Sequence, residues 1–376
     1  MNHRERLQTV LRGEIPDCVP VAPDFSNMIP AKRTGKPFWD LYLYNQPHIC
    51  EAYVDCAKHF DIDSLMDGYF PLRFPSDEDK QREWETFIVE KDEEHIITQK
   101  SYLEHGERYW ADWVMYYPKW DPPTHMSCEL AKRPLVPESF EELQGVRPID
   151  YGPEGMARMK ALLGEQGLFG VFLTGSVVLG NEHAVMDYMM DPDKYADWAE
   201  ARVKECEERF AKIMALDVKP DFLCVGGSGT LVFQTVQMFR DLALPAVKRG
   251  IELATQAGIP THVHSCGPEK ELVRIMAEET DLTVIDPLEV PPMGDCDLKA
   301  LKKEYGDRIV LKGNLHTTEI MLKGSVQDVQ DAAKKAIDDA AEGGRFILST
   351  GDQCGRDTPP ENLEALVEVA RTYGKY

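Results

Sequence analysis

Pro260-Thr261-His262-Val263-His264-Ser265-Cys266-Gly267 begins as a short β-branched run and ends on a glycine turn. In a strand, side chains two apart share a face, so His262, His264 and Cys266 project together, with His264 and Cys266 nearest the carboxyl end. Two residues of metal-ligand type at a strand end are one way to open a binding site. A hydrogen-bonded core histidine beside a small buried thiol is the other reading of the same eight residues.

Working outward, similar apolar runs recur along the chain and alternate with charged, amphipathic segments. Strands are expected at 18–25, 63–69, 168–175, 221–227, 259–265, 282–287, 308–314 and 345–351. Helical segments lie between them. DPDKYADWAEARVKECEERFAKIMA opens with Asp-Pro, and SVQDVQDAAKKAIDDAAE opens with the N-cap Ser325. Eight strands with helical crossovers predict an α/β fold, a (β/α)8 TIM barrel, with an open doubly wound sheet as the alternative. The chain is expected to form a single domain over 1–376. Inside it, residues 81–127 read as an inserted β-meander with a hairpin turn at Gly106, rich in aromatics that include Trp110 and Trp113. Those rings either build a small core of their own or cover a flat apolar substrate.

Composition narrows the function classes. A net charge of −23 opposes nonspecific binding to nucleic acid or an anionic membrane surface. No apolar run reaches the roughly 18 residues of a membrane span, and Arg4, Arg6 and Arg12 break any signal-peptide core. Nine cysteines without framework spacing point to a reducing, cytoplasmic setting rather than a disulfide scaffold.

In a β/α barrel the chemistry sits at the carboxyl ends of the strands. The last strand, RFILSTG, runs into Asp352-Gln353-Cys354-Gly355, which brings Cys354 to the same rim as His264 and Cys266. One imidazole and two thiolates form a donor set suited to catalytic Zn²⁺. Glu289 and Asp352 are candidates for a fourth position, and His262 for a residue that orients a ligand. Asp24, Phe25 and Asn27 follow the first strand, Gly227 lies in the GGSG turn after the fourth, and Asn314 ends the seventh. Each is a candidate substrate contact with an equally simple structural role in capping, close approach or buried hydrogen bonding.

Three stretches, HVHSCG, LKGNLHTTEIMLKGSVQDV and FILSTGDQCGRDTPPENLEALVEVAR, together resemble the uroporphyrinogen decarboxylase superfamily, specifically its zinc and cobalamin-dependent methyltransferase branch. The resemblance rests on His264, Cys266 and Gly267, on Gly313 and Asn314, and on Cys354, Gly355, Thr358, Pro359, Glu361 and Asn362. It is close from about residue 221 onward and loose before it. The decarboxylases themselves carry an Arg-Gln-Ala-Gly-Arg signature after the first strand, where this sequence has SNMIPAKRTGK with only Lys32 and Arg33.

The resemblance implies zinc held by His264, Cys266 and Cys354. It also implies methyl transfer between a small methylated substrate and a corrinoid (cobalamin). No Asp-x-His-x-x-Gly corrinoid signature occurs in the sequence, so the corrinoid is expected on a partner protein. The aromatic insertion points to an aryl methyl ether and O-demethylation. A coenzyme M-type thiol, methanol or a methylamine is the alternative, with decarboxylation and noncatalytic zinc binding more distant. A homodimer is left open.

Overall fold

The computed structural model describes residues 1–376 apart from 67, 69, 75–82, 180 and 181. Asp67 and Tyr69 of the second expected strand, and the first two positions of the expected insertion, therefore lie outside the described residues. Two compact units are formed, one from 1–24, 57–71 and 160–376, the other from 25–56 and 72–159.

The strands in chain order are β1 (Ser64–Met66), β2 (Glu85–Lys91), β3 (His95–Glu104), β4 (Glu107–Pro118), β5 (Thr124–Ser127), β6 (Glu141–Glu142), β7 (Gly167–Phe172), β8 (Phe222–Cys224), β9 (Thr261–His264), β10 (Val284–Asp286), β11 (Val310–Leu315) and β12 (Phe346–Thr350). In the first unit β1 and β7 to β12 make one parallel sheet in the order β1-β7-β8-β9-β10-β11-β12. These strands are buried along almost their whole length, as expected of a parallel sheet covered on both faces.

The first expected strand is too short to be more than a bridge, yet it completes the sheet. Ala22 N donates to Leu348 O of β12 at 2.9 Å, and Leu348 N donates to Pro20 O at 2.9 Å. On its other side Asp63 N, at the start of β1, donates to Val21 O at 2.8 Å. Eight staves thus hydrogen-bond in sequence order, as the pattern of apolar runs predicts. Their interior is filled by Ala22, Leu65, Leu168, Phe222, Cys224, Val284, Val310 and Ile347, joined by Leu7, Val10 and Leu11 from the helix His3–Leu11. Most of these residues sit near the amino ends of their strands, so that helix plugs that end and leaves the carboxyl end for chemistry.

The outer helices begin where their sequences say they should. Ser325 Oγ accepts from Asp328 N while the Asp328 carboxylate accepts from Ser325 N, a reciprocal capping box opening the helix Val326–Ala340. Ser325→Ala should cost about 1 kcal/mol in urea unfolding, because Asp328 N loses its acceptor.

The second unit holds an antiparallel sheet in the order β5-β4-β3-β2-β6. The expected hairpin is present: Glu104 pairs with Glu107, and His105 (φ 53°) and Gly106 (φ 86°) both occupy the left-handed region that a two-residue turn requires. The unit is larger than the expected excursion over 81–127, since residues 25–56 and 128–159 also belong to it. Trp110 lies edge-on to Phe87 and Phe140, with ring centroids 5.5 and 4.9 Å away, and Trp113 packs on His125 at 4.7 Å. These rings have partners within their own unit, as the packing interpretation of the aromatics expects.

Candidate active site

The alternation read from 260–267 holds: His262 and His264 share a face of β9, and the register sets Asp286 of β10 opposite His264. Asp286 is fully buried. Its Oδ1 lies 2.8 Å from His262 Nε2 and 3.1 Å from His264 Nδ1, and its Oδ2 is ion-paired with Lys312 Nζ of β11. Burial alone would raise this carboxyl, but Lys312, His262 and His264 hold it well below the ordinary carboxylate range.

The other ring nitrogen of His264, Nε2, lies 3.6 Å from Asp352 Oδ1. There the Cys266 thiol, a Glu289 carboxylate oxygen and an Asp352 carboxylate oxygen all stand within 4.8 Å of one another. Burial is the main cause that raises the Cys266 thiol, with Asp352 and Glu289 adding to it against the Ser228 hydrogen bond and His264. Burial likewise leads in raising Glu289, and Asp352 adds to it, against a hydrogen bond from Gly267 N and the pull of His264 and His316. Asp352 thus raises the proton affinity of both Cys266 and Glu289, and a bound divalent cation reverses that effect. Imidazole nitrogen, thiolate and carboxylate converge, a donor set that fits zinc.

The loop around Cys266 is tightly determined. Ser228 Oγ of the GGSG turn lies 2.8 Å from Cys266 Sγ. Gly267 has φ 92°, its N–H donates to Glu289 Oε2 at 2.5 Å, and a β-carbon on it would fall 2.4 Å from Val232 Cγ2. Only glycine suits that position without displacement. Within the GGSG turn, a β-carbon on Gly226 would strike Val263 at 2.7 Å, and Gly227 N donates to Ser176 Oγ at 2.7 Å. Close backbone approach therefore accounts for Gly226, whereas a β-carbon on Gly227 would meet nothing nearer than Ser176 Oγ at 3.8 Å.

The remaining candidates fall in several places. Cys354 is fully buried, with its N–H donating to Asp24 O at 2.9 Å and its thiol beside Thr350 and Thr358. Burial leads in pushing that thiol up to about 12, and it does not join the cluster around Cys266 among the described residues. From this loop it is Asp352, two residues earlier, that stands there. Asp24 N donates to Thr350 Oγ1 at 3.0 Å, which ties the first stave to the last. Asn314 is buried and donates Nδ2 to Leu288 O at 3.0 Å, supporting the turn before Glu289. In the second unit Phe25 is fully buried and tilts against Tyr53 at 6.2 Å, while Asn27 is exposed at the start of the helix Met28–Arg33.

Asp286 and Lys312 were not among the sequence candidates. Their signal lay in pairing the ends of neighbouring parallel strands, where VIDP meets THVH and VLKGN.

The model of the family described as uroporphyrinogen decarboxylase (URO-D) matches residues 176–373, more than half of the chain. The chain belongs to the uroporphyrinogen decarboxylase family. This bears out the membership read from the HVHSCG, LKGN and CGRDTPPEN motifs. Among curated proteins, the family relatives include the methylcobamide:CoM methyltransferases MtbA of Methanosarcina mazei, 26% identical over 206 residues, and of Methanosarcina acetivorans, 26% identical over 205 residues. Each alignment covers 54% of this chain and 52% of the relative, so the chain spans about half the length of the curated relatives it matches. A solved methyltransferase from Methanosarcina mazei superposes with a TM-score of 0.59 at 16% identity over 99% of both chains, which establishes the shared fold. No helix of the described residues is long and apolar enough to cross a membrane.

Proposed function

We propose that this protein is a zinc-dependent methyltransferase that moves a methyl group between a small substrate and a corrinoid carried by a partner protein. The observation that carries it is the convergence of Cys266, Glu289 and Asp352 beside His264, at the carboxyl end of a barrel whose relatives are named methylcobamide:CoM methyltransferases. Zinc would be held by His264, Cys266 and Cys354, with Glu289 and Asp352 beside it. When bound, it supplies Lewis acidity to the heteroatom that carries or receives the methyl group.

The chain's own residues prepare that site. Asp286 fixes the His264 ring, Ser228 holds the Cys266 sulfur, and Gly267 N–H fixes the Glu289 carboxylate. The strongly acidic chain, with no arginine-rich signature after the first stave, is poorly matched to a polycarboxylate substrate.

Within this reading the methyl donor is an aryl methyl ether, demethylated with the corrinoid as acceptor. A phenolate leaves more readily than methoxide because the ring delocalises its charge. A second reading, transfer from methylcorrinoid to a thiol such as coenzyme M, is favoured by the name of the relatives. A panel of methoxyphenols, methanol and methylamines incubated with protein and cob(I)alamin should give methylcobalamin fastest with the methoxyphenols. Consumption of methylcobalamin by coenzyme M, with no reaction of any aryl ether, would replace the first reading with the second. No turnover in either direction would remove both.

A further inference from the structure

Asp286 sits where one carboxylate meets three nitrogen donors, and the arrangement leaves little freedom in how protons are distributed. Oδ2 is occupied by the Lys312 ammonium, and Oδ1 faces both His262 Nε2 at 2.8 Å and His264 Nδ1 at 3.1 Å. His264 and Asp286 end β9 and β10, while His262 and Lys312 sit further inside β9 and β11, and the side chains of Asp286 and Lys312 are 1% and 8% exposed.

Lysine at a buried position needs a counter-ion, and Asp286 supplies it. An ionised carboxylate only accepts hydrogen bonds, so each imidazole nitrogen facing it must carry the proton. Lys312 already balances the charge of Asp286, so neither imidazole has to be charged. A neutral His264 with its proton on Nδ1 has its lone pair on Nε2, which lies 3.6 Å from Asp352 Oδ1, beyond hydrogen-bonding distance.

We propose that Lys312, Asp286 and His262 form a charge-balanced clamp that locks His264 in the Nδ1–H tautomer and holds Nε2 ready as a ligand. Asp286 and Lys312 are positioning residues, acting through His264. The assignment to ligand duty rests on the zinc reading above, whereas the tautomer does not. The clamp explains why a lysine, costly to bury, stands behind a histidine: it balances Asp286, and Asp286 fixes the His264 ring through Nδ1.

The test has two arms. In the first, protein labelled with ¹⁵N-histidine and dialysed against chelator is observed by long-range ¹H–¹⁵N correlation near neutral pH, with His264→Gln assigning the signal. His264 should show a protonated Nδ1 and a bare Nε2. A protonated Nε2, in either the other tautomer or the imidazolium, would overturn the proposal even if the protein binds zinc well.

In the second arm the Asp286→Asn/Lys312→Met double variant removes both charges with little change of volume. Its zinc dissociation constant, by competition with a chromophoric chelator, should rise about 10- to 100-fold. A folded variant that binds zinc as tightly as the parent would reduce the clamp to packing and overturn the positioning role. If the double variant fails to fold, Asp286→Asn alone is measured in the same way and judged by the same criterion. If the parent protein binds no zinc, the metal reading fails, and the first arm still decides the tautomer.

Discussion

Asp63→Asn is expected to destabilise the protein by about 3 kcal/mol, read as a lowered urea midpoint with an unchanged slope. Asp63 is fully buried just before β1, and its carboxylate collects partners from distant parts of the chain: Arg6 Nη1 at 2.6 Å, Arg371 Nη1 at 2.7 Å, His3 Nδ1 at 3.0 Å and Val21 N at 2.8 Å. The plugging helix, the first stave and the last helix, Pro360–Thr372, all meet at this one side chain. Removing its charge leaves Asp17 as the carboxylate partner of Arg6 and Asp61 as that of Arg371 among the described residues.

The same residue sets an acid limit. Burial pushes the Asp63 carboxyl up, but the His3 hydrogen bond and the charges of Arg371 and Arg6 outweigh it and hold it below its ordinary value. A depressed carboxyl contributes its full stability above its unfolded pKa of about 4 and loses it as pH falls through the lower folded value. The parent should therefore lose stability below about pH 4 more steeply than Asp63→Asn does. Parallel acid-unfolding curves for the two proteins would refute this role.

The contrast between what the sequence disclosed and what it hid follows from range. All eight staves were legible because a buried parallel strand must be apolar along its length, and that is a local property of runs such as FILST and VLKGNL. The helix at Ser325 was legible because its cap lies within four residues. Asp63, Asp286 and Lys312 were not, since each draws its meaning from strands or helices remote in sequence. A lone acid before an apolar run looks like any other loop residue until the register is known.

The rim loop after β12 shows a finer limit. Alternation places residues reliably up to Thr350, but Asp352 has φ 110°, a left-handed turn that breaks the strand period. Beyond it, counting by twos no longer tells whether Asp352 or Cys354 faces Cys266. In the structure Asp352 does, while the Cys354 thiol lies buried beside Thr350 and Thr358. Aromatic density had a similar weakness. It singled out Trp110 and Trp113 without saying whether they pack within their own unit or cover a substrate.

Cys266→Ala should have the largest effect on activity, a loss greater than the roughly 10- to 100-fold typical of groups that merely support a metal ligand. Cys266 contributes the one sulfur of the cluster it forms with Glu289 and Asp352. Without it the site loses a soft thiolate donor, and the carboxylates beside His264 hold zinc less tightly. Bound zinc, measured by elemental analysis after gel filtration, should fall from about one per chain to near zero. Stability should change little, by about 1 kcal/mol or less, because the residue is half-buried at the rim and outside the barrel's apolar interior. Cys354→Ala and Asp352→Ala complete the test. Loss of zinc in Cys354→Ala would support the His264, Cys266 and Cys354 set. Retention there with loss in Asp352→Ala would give the third position to Asp352, whose carboxylate already stands beside both His264 and Cys266. Full zinc and full turnover in Cys266→Ala would place the chemistry away from this cluster and end the proposal built on it.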